Sequence, residues 1–144
     1  MQKNVLKKVL KHALLLLLPV MAGIAPAKAQ LKSSTGTASY YAQKFHGRKT
    51  ASGEIFDNNG MTAAHNTLPL GTLIKVTNLR NNRWVVVRVT DRLHAANRRI
   101  VDLTQAAAKK LGFIHWGLTK VKVEVVTKEF VNSLPILDLA MNPS

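Results

Sequence analysis

The chain has 144 residues, with Lys+Arg 21 against Asp+Glu 7, a formal net charge of +14 and no cysteine. That length suits one domain, and 47% hydrophobic with 19% charged residues excludes a disordered polyelectrolyte or a polytopic membrane protein. Without cysteine there is no disulfide framework, thiolate metal site, Cys nucleophile or Cys-linked lipid.

Residues 1–12 carry four lysines and no acid, an apolar run follows from Ala13 to Ala27, and Ala27-Lys28-Ala29 closes it. A basic segment, a short apolar segment and a small-x-small site make a secretory signal peptide over 1–29. The apolar run is interrupted by Pro19 and Pro26 and is short of the ~20 residues that span a bilayer. Removing the five lysines of 1–29 from +14 leaves +9. An exported protein meets envelope polymers, so the basic charge points to anionic wall components or to solubility rather than to nucleic acid.

Residues 30–35 read as a short polar linker. Thr37–Tyr41 is rich in strand formers. Residues 43–60 contain Gly47, Ser52-Gly53, Asp57-Asn58 and Asn59-Gly60 and read as a long structured loop. Met61–His65 is a short strand. Leu73–Asn78 and Arg83–Val89 flank Leu79-Arg80-Asn81-Asn82, the pattern of a hairpin. Ile100–Leu103 is a further strand, and Gln105–Leu111 is a helix, capped by Thr104 or Asp102 and stopped by Gly112. Thr119–Val126 alternates with period two. Residues 127–144 show no clear period. Several short strands and one short helix predict a mainly β fold, a small barrel rather than a parallel α/β sheet.

Few groups can do acid–base work. Asp91 follows a β-branched run and emerges where a buried strand ends; burial would raise its pKa and hold a proton for a leaving group. Equally, an Asp there can end the strand by bonding its own turn. Glu54 is either a functional carboxylate or an exposed loop residue, and His65 either a functional imidazole or a satisfied residue at the core edge. Zinc is the weaker option for these three, because no paired Cys or His-x-x-x-His accompanies them. P-loop, dinucleotide and Gly-x-Ser-x-Gly signatures are absent.

Ordered blocks carry a resemblance: Gly36–Tyr41, Phe45–Arg48, Thr50-Ala-Ser-Gly-Glu54, Met61-Thr-Ala-Ala-His65, Thr67–Thr72, Val87-Arg-Val-Thr-Asp-Arg92 and Arg99-Ile-Val-Asp-Leu103. The string resembles the rare lipoprotein A family of septal lytic transglycosylases over about residues 36–126. The resemblance implies a six-stranded double-psi β-barrel whose groove takes peptidoglycan glycan strands. It implies Asp91, Glu54 and His65 as catalytic groups, with Tyr40, Tyr41, Thr50 and Asp57 binding substrate. It implies no cofactor and no metal.

The expected reaction is non-hydrolytic cleavage of the MurNAc–GlcNAc β-1,4 bond to a 1,6-anhydro end. The expected protein is an exported, non-lipidated monomer of the periplasm or envelope with no stable membrane anchor. The sequence departs from the family where Asp91-Arg92-Leu93-His94-Ala95 replaces Asp-Arg-Gly-Pro-Phe. A non-catalytic, expansin-like wall-binding module is the alternative.

Overall fold

The computed structural model describes residues 32–134; the signal peptide read at 1–29 lies outside them. Six strands close into a barrel: β1 (Ser33–Tyr40), β2 (Thr62–Ala64), β3 (Leu73–Asn78), β4 (Trp84–Asp91), β5 (Val101–Leu103) and β6 (Thr119–Val125), in the spatial order β1-β5-β2-β4-β3-β6. Two pairings, β1 with β5 and β2 with β4, are parallel, and the others are antiparallel. Closure leaves no free sheet edge.

Period-two patterning explains why these segments are strands. On β3, Ile74, Val76 and Asn78 point inward, and on β4 the same holds for Val85, Val87 and Val89. Val121 and Val123 of β6 complete this wall, and Phe113, Leu103 and Leu111 fill the interior. Each such side chain removed from water contributes about 1.5–3 kcal/mol.

Helix α1 (Gln105–Leu111) packs Ala107, Ala108 and Leu111 inward. Thr104 is its N-cap: the hydroxyl accepts from Ala107 N at 3.2 Å and donates to Gly60 O at 2.6 Å. Asp102, the other cap candidate, is not used for this. Gly112 ends α1 in the left-handed region, at φ 75°, where a Cβ is disfavoured.

Two segments differ from the sequence reading. The polar stretch read as a linker includes Ser33, Ser34 and Thr35, which pair with Glu124, Val123 and Lys122 respectively as the start of β1. A second helix, α2 (Lys128–Ser133), lies in the unpatterned tail and buries no residue.

The β3–β4 turn is tied to α1 by one buried amide. Asn78, 1% exposed, donates to Leu111 O at 2.9 Å and accepts from Thr119 Oγ1 and Arg80 N. Truncating it would strand the Thr119 hydroxyl inside the fold, while Leu111 O keeps its bond from the Asn81 amide. Asn78→Ala is therefore expected to cost about 1–3 kcal/mol, lowering the melting temperature by roughly 5–20 °C. Differential scanning fluorimetry measures this; an unchanged midpoint would contradict it.

Candidate active site

Asp91 ends β4 at a register break. Ala63 pairs with Val89 but Ala64 pairs with Asp91, so Thr90 is an extra residue on the β4 side. A bulge of this kind bends the strand and re-aims the next side chain. It turns Asp91 into a groove of about 750 Å³ lined also by Tyr40, Tyr41, Arg92 and Asp102. Asp91 is half-buried, not enclosed.

Three donors converge on the Asp91 carboxylate. The Tyr41 hydroxyl donates to Oδ2 at 2.7 Å; the backbone N–H groups of Ala51 and Arg92 each donate to Oδ1 at 2.9 Å. A carboxylate offers about four acceptor positions. One remains for a proton or a substrate hydroxyl.

Tyr41 is fixed by its ring as well as its hydroxyl, packing against Phe56 at a 40° tilt with centroids 4.4 Å apart and meeting Phe45 edge-on at 5.8 Å. Burial, then the hydrogen bond to Asp91, push its phenol far above the ordinary tyrosine range. It stays a donor at any working pH. Tyr40, its neighbour, turns the other way: its hydroxyl bonds Ile114 O at 2.8 Å and its ring meets Phe113, so packing holds it at the groove wall.

Glu54 and His65 do not open onto that groove. Glu54 lines a smaller depression with Thr50, Asp57 and Arg88. Its carboxylate takes two hydrogen bonds from the Arg88 guanidinium, both at 2.9 Å, and one from Ser52 Oγ at 2.8 Å. Those bonds hold Glu54 below the usual carboxylate range and raise Arg88. Thr50 is buried beneath the loop, bonded to Ser52 Oγ and Glu54 O. Asp57 is exposed and accepts from Asn59 N in its own turn.

His65 faces a third depression. Its Nδ1 accepts from the N–H groups of Thr67 and Leu68, at 3.2 and 3.3 Å, which puts the ring proton on Nε2. The loop so folded presents His65 O and Leu68 O to the Arg92 guanidinium, at 2.5 and 2.8 Å. Arg92 in turn donates its N–H to Asp91.

Burial, followed by the nearby Arg92 charge, lowers the His65 pKa below 6.5. The unfolded chain therefore binds more protons, so this contribution to stability is complete above about pH 6.5 and falls away as pH drops through the depressed folded value. Melting temperatures between about pH 7.5 and 5 should fall more steeply for the wild type than for His65→Phe. Parallel profiles would contradict this.

The sequence reading missed Asp102 and the cationic rim. Asp102 lines the groove, receives the Ser39 hydroxyl and is 3.3 Å from Arg99 Nε. Its signal was its place between buried Val101 and Leu103, which turns it to the barrel's outer side. Lys44, Arg48 and Lys49 line the same groove, and Lys44 and Arg48 sit over the Phe45 ring at 5.5 and 5.4 Å. The turn after Asp91 is built without Gly-Pro: Leu93 is buried, and His94 O accepts from Asn97 N at 2.9 Å.

The model of the double-psi β-barrel family described as lytic transglycolase matches residues 33–123. The chain belongs to that family. Among curated relatives it is 49% identical over 94 residues to the endolytic peptidoglycan transglycosylase RlpA of Neisseria meningitidis, covering 65% of this chain and 39% of that one. It is 56% identical over 89 residues to the protein of that name in Pseudomonas aeruginosa, covering 62% and 26%. The chain thus spans well under half the length of these relatives.

Solved structures carry the same barrel. Streptomyces papain inhibitor matches at TM-score 0.55 and 25% identity, over 67% of this chain and 96% of that one. Clavibacter michiganensis expansin matches at 0.54 and 21%, over 67% and 52%; that likeness concerns the fold. The predicted six-stranded double-psi β-barrel is therefore the architecture of this family member.

Proposed function

We propose that the protein is an endolytic peptidoglycan lytic transglycosylase of the cell envelope, acting on MurNAc–GlcNAc strands laid along the groove. The observation that carries this is the half-buried Asp91 carboxylate, held by three donors at the groove wall, in a chain 49% identical to an endolytic transglycosylase over its barrel.

Asp91 in its acid form gives its proton to the glycosidic oxygen. The bond from that oxygen to the MurNAc anomeric carbon breaks, leaving oxocarbenium-like charge on the sugar. The carboxylate then takes the proton of the MurNAc 6-hydroxyl, whose oxygen closes on the anomeric carbon. A 1,6-anhydro ring forms, Asp91 regains its proton, and no water is consumed. One carboxyl serves both steps, unlike the two-carboxylate hydrolases.

Glu54 and His65 act through Asp91 in this account. Glu54, pinned by Arg88, shapes the 50–54 loop that offers Ala51 N–H; His65 shapes the 65–68 loop that clamps Arg92. Both are positioning residues. Tyr40 and the Phe45 face, with its two cations, form the wall on which sugar rings and anionic groups lie. Thr50 and Asp57 stand on the neighbouring depression, where they border the path of a longer strand. Export by the 1–29 segment, without lipidation, would deliver the barrel to the wall as a monomer.

Digestion of purified glycan strands, read by mass spectrometry, tests the proposal. Soluble fragments with 1,6-anhydro ends are expected. Binding to insoluble wall with no fragments would support instead a non-catalytic, expansin-like wall-binding module.

A further inference from the structure

The far end of the barrel carries a feature that the groove does not use. Trp116, Leu118 and Leu79 are 62%, 51% and 45% exposed. They are brought together by the pairing of β3 with β6: Leu79 N bonds Lys120 O at 2.9 Å, and the Arg80 guanidinium lies 4.2 Å from the Trp116 ring centroid. Lys109 and Lys110, exposed at the end of α1, flank this patch, as does Arg83 beside Gly112. No acid occurs in residues 79–83 or 104–120. Among the described residues, none of these four cations is in an ion pair.

We propose that this end docks reversibly on an anionic phospholipid surface. An indole and two leucines ringed by cations, with no acid among them, match the interfacial pattern of peripheral lipid binders. Leucine side chains favour lipid over a sugar platform, which needs flat aromatic faces. The direction is also apt: the patch adjoins the start of β4 at Trp84, and Asp91 ends that strand, about 23 Å away along it. A barrel resting on lipid by this end holds its groove away from the bilayer.

The full chain with Trp84→Phe keeps Trp116 as its sole tryptophan, so its fluorescence reads this site whatever the lipid affinity of residues 13–27. With vesicles of equimolar phosphatidylglycerol and phosphatidylcholine, blue-shifted emission and quenching by brominated lipid are expected. Adding Arg80→Glu, Lys109→Glu and Lys110→Glu should weaken partitioning at least about tenfold, as should vesicles of phosphatidylcholine alone. Should Trp84→Phe misfold, the wild type compared with Trp116→Phe gives the same reading. Absent quenching, equal quenching on neutral vesicles, or a Trp116 response to glycan strands in place of lipid would overturn the proposal.

Discussion

Asp91→Asn is expected to lower the rate of 1,6-anhydro product formation by about 10²–10⁴-fold while leaving the fold in place. The amide has the carboxylate's shape, and its oxygen can keep the N–H groups of Ala51 and Arg92, which meet one carboxylate oxygen. The amide nitrogen would then donate to the Tyr41 hydroxyl in place of accepting from it. What is lost is the ability to give and retake a proton. Product chromatography beside a thermal melt separates the two effects. Turnover within twofold of wild type would remove Asp91 from the chemistry.

Tyr41→Phe should be the second largest effect, about 10–10²-fold in kcat with KM little changed. The phenyl ring keeps its packing against Phe56 and Phe45, and Asp91 keeps its two backbone donors, so only the hydroxyl on Oδ2 is removed. The stability cost is about 1 kcal/mol, roughly 4–8 °C in melting temperature. A purely structural Tyr41 would show the melting shift without the kcat loss. A Tyr41 that serves by stacking sugars would instead raise KM.

The alternating strands were legible because one face of each is buried. Leu73–Asn78, Arg83–Val89 and Thr119–Val126 were read close to β3, β4 and β6, and α1 was read at its observed bounds, where alanine, the Thr104 cap and Gly112 agree. Ser33–Thr35 escaped because they pair along the backbone while remaining exposed; pairing without burial leaves no hydrophobic period. Helix α2 escaped for the same reason, burying nothing.

The candidate site was legible in its parts but not in its arrangement. Asp91 was picked out by its place after a β-branched run, and that place is where the Thr90 bulge aims it into the groove. The hydrogen bond from Tyr41, 50 residues earlier, depends on barrel closure, which no local pattern encodes. Motif matching groups Glu54 and His65 with Asp91, whereas folding sets them on separate depressions, each bracing a loop. The basic charge is sorted by the fold, partly onto the groove rim at Lys44, Arg48 and Lys49 and partly onto the far end at Arg80, Lys109 and Lys110.

If one carboxyl cleaves the strand as proposed, no water enters the product. Digestion of glycan strands in water enriched in heavy oxygen tests it most directly. Product ends that carry no label and have the mass of the 1,6-anhydro sugar are the predicted result. Labelled reducing ends would mean hydrolysis and would contradict the account.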